Sequence, residues 1–133
     1  MSLVPKMTPY HRVAIFTTGD IYGEAAAAVE LLQEQGITPT VYTFPTVKPV
    51  DAQTVCACAA DHELIVTCEE HNILGGLGTA VAEVLAENPA RAKLVRLGIS
   101  GSYCTTVGSQ NYLRRQYGLT GPQIADRIRK ELA

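Results

Sequence analysis

The stretch LIVTCEEHNILGGLGTAVAEVL, residues 64–85, passes from an apolar run through a cluster of functional groups into an alanine- and valine-rich segment opened by glycines. Leu64, Ile65 and Val66 read as the buried part of a strand over Glu63 to Cys68. Glu69, Glu70 and His71 then fall in a loop, and a helix is expected from about Gly76 to Glu87, ended by Asn88-Pro89. The glycines permit φ > 0 and let backbone or ligand come close. An open α/β sheet gathers its ligands at the carboxyl ends of its strands. A site of this chain's own therefore belongs at this loop, with Glu69, Glu70, His71, Gly75, Gly76 and Gly78 as interface or ligand candidates.

The same alternation extends in both directions. Arg12 to Thr18, apolar at Val13, Ala14, Ile15 and Phe16, predicts a first strand that turns at Gly19-Asp20. Ile21, Ala25, Ala28, Val29 and Leu32 lie at helical spacing over residues 21–35, and Gly36 sits where a C-cap belongs. Thr40 to Phe44 is β-branched and aromatic, a second strand. Residues 45–51 are extended by their prolines, and Asp51 is a suitable N-cap for a short helix through Ala60. Lys93 to Ile99 gives a fourth strand, 100–108 a polar loop and 110–116 a short helix. Thr120 and Gln123 have the form of a capping box. They open a last helix with Ile124, Ile128 and Leu132 on its inner side and Arg127, Arg129 and Lys130 as a solvated face. Strands alternating with helices imply a three-layer α/β fold: an open, mainly parallel sheet of about five strands, helices on both faces. Residues 1–11, with two prolines and no periodicity, read as a linker or N-terminal arm, leaving 12–133 as the domain.

At 133 residues the chain has room for one core, and its net charge of −2 offers no pull towards nucleic acid or anionic membrane. No apolar run approaches a membrane span, and the start lacks a signal-peptide pattern, so a cytoplasmic location is expected. Cys56, Cys58, Cys68 and Cys104 make no Cys-x-x-Cys and no zinc spacing; they read as free, reduced thiols.

Gly76-x-Gly78 with Val81 three further on is a broken dinucleotide fingerprint in the right strand–turn–helix context. Glu69 and Glu70 precede it and would repel a pyrophosphate, and no P-loop Gly-Lys-Ser/Thr follows. Tight helix–strand packing is the competing explanation of the glycines. Glu69, Glu70 and His71 suit acid–base or metal chemistry. They equally suit a hydrogen-bonded or interdomain role, because consecutive residues at a strand end point apart. His62 lies at the other end of that strand. There is no Gly-x-Ser-x-Gly elbow among Ser100, Ser102 and Ser109, and Cys104 has no basic neighbour in sequence.

Val66 to Leu85 resembles the signature strand–loop–helix of the transketolase C-terminal domain, shared by transketolases, deoxyxylulose-phosphate synthases and the β subunits of 2-oxoacid dehydrogenases. Lys48-Pro49-Val50-Asp51 is similar to that family's Lys-Pro-Leu-Asp segment, Arg96 to Ile99 to its fourth strand, and Tyr117-Gly118-Leu119-Thr120 with Ile124 to its Tyr-Gly-Leu-Thr ending. Gly108-Ser109 also fits. Ser100-Gly101-Ser102-Tyr103 departs from the pattern, where an Asp and an aromatic residue usually stand.

The resemblance implies a third domain that packs beside two others holding thiamine diphosphate and a divalent metal, and that helps assemble the dimer. The parent reaction would be ketol transfer between sugar phosphates. The chain has neither the diphosphate-binding Gly-Asp-Gly segment nor the domain with the catalytic glutamate. No catalytic, cofactor-binding or metal residue of its own is therefore expected, nor activity in isolation. Its implied partners are the N-terminal and middle thiamine-binding domains or subunits, as an excised fragment or as the tail of a split enzyme, in a homo-oligomer. The alternative is a stand-alone anion- or nucleotide-binding module using the helix N-terminus at Gly75 to Gly78.

Overall fold

The computed structural model describes residues 13–44, 50–72, 76–88, 92–99 and 114–132. The N-terminal arm, the proline segment 45–49, Gly75, Pro89, the loop 100–108 with Cys104 and the start of the short helix at 110–113 lie outside the described residues.

Four parallel strands form one sheet, β1 (Val13–Thr17), β2 (Thr40–Thr43), β3 (Leu64–Asn72) and β4 (Lys93–Ile99), in the order β2-β1-β3-β4. The described residues thus hold four strands where about five were expected. Every residue of β1 is buried, as befits a strand covered on both faces, whereas edge strand β2 is half-buried at Val41 and Tyr42 and exposed at Thr40 and Thr43. A 3₁₀ turn (Gly19–Ile21) leads into α1 (Tyr22–Gln33); α2 (Ala52–Asp61), α3 (Leu77–Glu87) and α4 (Gly121–Leu132) follow, and residues 114–116 are helical.

The sheet separates two cores. On one face Val13, Ile15, Leu64, Val66, Cys68, Val95 and Leu97 meet α1 and α4 through Ala25, Ala28, Leu32, Ile124 and Ile128. On the other, Ala14, Phe16 and Ile65 meet α2 and α3 through Val55, Cys58, Leu77 and Val81. Phe16 anchors this second core, 4.8 Å from the Phe44 ring and edge-on to Tyr42 at 5.6 Å. This period-2 partition fixes which β3 side chains reach α3: Ile65, Thr67 and Glu69, not Val66 and Cys68.

Local chemistry sets the helix ends. Gly36 takes φ +83°, while Ile37 N–H bonds Leu32 O at 3.0 Å and Gly36 N–H bonds Gln33 O at 3.0 Å. These are the paired bonds of a Schellman stop, with Ile37 packed on the Leu32 core. Asp51 caps α2, accepting from Thr54 N–H at 3.1 Å and Thr54 Oγ1 at 2.8 Å. His62 closes the same helix, its Nδ1–H donating to Cys58 O at 2.9 Å. Thr120 and Gln123 form the expected capping box, with Thr120 Oγ1 donating to Gln123 Oε1 at 2.8 Å and Gln123 N–H returning to Thr120 Oγ1 at 3.4 Å. On the outer side of α4, Arg127 pairs with Glu131 at 2.9 Å.

β3 departs from expectation. The strand does not stop at Cys68; its backbone continues to Asn72. Cys68 pairs with Leu97 and Asn72 with Ile99, so Glu69, Glu70 and His71 together face Gly98 alone. Two extra residues make this a bulge, a device that bends a strand and re-aims its side chains.

Candidate functional site

β3 and the bulge deliver Glu69 to the carboxyl end of the sheet, on the face that α3 covers. The residue is 1% exposed. One carboxylate oxygen accepts from Leu77 N–H and the other from Gly78 N–H, both at 2.8 Å. Those amides open α3, whose N-cap is Gly76, a residue with no side chain to supply the cap. The first four N–H groups of a helix lack partners within it, and its amino end carries partial positive charge. Glu69, eight residues upstream of Leu77, meets both needs. A buried charge is tolerable only when paired or hydrogen-bonded in this way.

Gly78 is the second part of the arrangement. A Cβ there would stand 2.9 Å from Cγ and Cδ of Arg96 and 2.9 Å from Thr67 Oγ1. Close approach of α3 to the sheet, one of the two readings of this glycine, is what the geometry displays. Thr67 is fully buried, and among the described residues its hydroxyl has no hydrogen-bond partner. Arg96 is exposed, with its stem drawn across Gly78.

Of the six candidate residues, the structure brings Glu69, Gly76 and Gly78 together at the start of α3. Glu70 and His71 continue the bulged backbone of β3. Gly75 lies outside the described residues. Cys68, beside Glu69 but on the opposite face, is buried, and that burial, then the Glu69 charge, pushes its thiol up to about 12. At neutral pH it is a core thiol, not a nucleophile. Among the described residues no three His, Cys, Asp or Glu side chains group as metal ligands. The α3 amides that would greet a diphosphate already hold a carboxylate, so the described residues do not fit thiamine diphosphate or its metal. The arrangement stabilises a junction and orients a strand end; it holds no nucleophile–base pair.

A related device went unforeseen. Glu24, in the first turn of α1, accepts from Gly121 N–H at 2.8 Å and pairs with Arg114 at 3.2 Å. It caps α4 from across the fold, and a sequence separation of 97 between the partners left no local signal.

Fold and site together define a parallel α/β domain whose strand ends and helix starts are tied by internal carboxylates. The family model described as "Transketolase, C-terminal domain" matches residues 4–124, and the chain belongs to that family. It is 39% identical over 120 residues to a putative transketolase C-terminal section of Methanocaldococcus jannaschii, covering 90% of this chain and 37% of the relative. It is 38% identical over 118 residues to a 1-deoxy-D-xylulose-5-phosphate synthase of Dehalococcoides mccartyi, covering 87% of this chain and 18% of that enzyme. The structure resembles a split gene transketolase solved as an inactive beta4 tetramer, with a TM-score of 0.80, 31% identity, 90% of this chain covered and 39% of that one. The chain thus spans between about a fifth and two fifths of the length of these relatives. Among the described residues no helix is long and apolar enough to cross a membrane.

Proposed function

We propose that this chain is the C-terminal part of a transketolase-like, thiamine diphosphate-dependent enzyme of sugar-phosphate metabolism, and that its contribution is assembly and interdomain contact rather than chemistry. The observation that carries this reading is the family match over residues 4–124 in a chain that spans only 37% of the similar transketolase C-terminal section. The thiamine diphosphate and metal belong in this reading to N-terminal and middle domains, supplied by the same polypeptide or by separate subunits. A relative from Actinobacillus succinogenes, 33% identical over 115 residues, is named as one of the subunits of an apulose-4-phosphate transketolase, which supports a split arrangement. The protein would work in the cytoplasm as a homo-oligomer, with the carboxyl end of the sheet as the contact side.

The test compares the chain alone with the chain mixed with the thiamine-binding domains of a split transketolase. Alone it is expected to show no calorimetric heat with thiamine diphosphate and no ketol transfer. Mixed, it is expected to co-elute with those domains and to raise their transfer rate. Cofactor binding or turnover by the chain alone overturns the proposal, as does failure to associate with any such partner.

A further inference from the structure

We draw no further inference here: the strongest candidate, the surface patch at the start of α1 where Tyr22 stands 51% exposed beside an exposed Gly23, carries nothing, since nothing in the structure shows what covers it.

Discussion

At Gly78 the outcome of adding a methyl group turns on which neighbour can yield. Arg96 is exposed and its stem can swing aside, but Thr67 is locked inside the sheet, with its Oγ1 2.9 Å from the new atom. Gly78→Ala is therefore expected to cost about 1–3 kcal/mol, the usual range for overpacking a well-filled site. The denaturant midpoint reads this directly; wild-type stability would show that Thr67 is not a rigid wall. Cys68 supplies a second residue-level expectation. With its thiol pushed up to about 12, it should resist iodoacetamide at neutral pH until the chain unfolds, while half-buried Cys56 reacts before it. Peptide mass mapping of the alkylated native protein decides this, and early labelling of Cys68 would contradict its burial. Composition and spacing made the core residues legible, because β1 and β3 are apolar where two faces are covered. They left the role of Glu69 open, since alternation along β3 places it on the α3 face but only the packed fold brings the Leu77 and Gly78 amides to it.

At the scale of helices, caps within a few residues of their partners were readable and distant ones were not. Asp51 precedes α2 and its carboxyl is held below the ordinary 3.8, chiefly by the hydrogen bond from the Thr54 side chain and then by the Thr54 amide. The folded form thus favours the carboxylate. The cap's contribution is present above the ordinary value and fades as pH falls through the lowered one. Asp51→Asn should accordingly flatten the acid limb of a Tm-against-pH curve below about pH 4. An unchanged acid limb would mean the cap is immaterial. Glu24 behaves differently, because it ties α1 to α4 and to Arg114 in a half-buried setting. Glu24→Ala is expected to cost about 1–3 kcal/mol, since it removes a half-buried ion pair with Arg114 and leaves the Gly121 amide without its acceptor. Faster hydrogen exchange at Gly121 is the local readout, and unaltered exchange would argue against the tie. The same junction explains Gly121, where a Cβ would stand 2.7 Å from the Ala27 Cβ. Only the fold shows that α4 makes this close contact with α1.

Over the whole molecule, the larger core depends on the C-terminal helix. Ile124, Ala125 and Ile128 are fully buried among residues of β1, β3 and α1. Each large apolar side chain contributes about 1.5–3 kcal/mol on burial, against a total stability of only about 5–15 kcal/mol for a domain. Truncation before Gly121 is therefore expected to abolish cooperative thermal unfolding by circular dichroism; a sharp transition in the shortened chain would show that the sheet and three helices suffice. The sequence by itself determined the α/β class, the order of elements, the family and the local caps. Hydrophobic period, turn chemistry and capping act over a few residues, and their signals lie in contiguous letters. Tertiary structure alone decided that β3 runs on through a bulge to Asn72, that Glu69 seats on the Leu77 and Gly78 amides, and that Glu24 fastens α4. Those outcomes depend on strand register and on which faces meet across the sheet, and such distances are set only when the whole chain has packed.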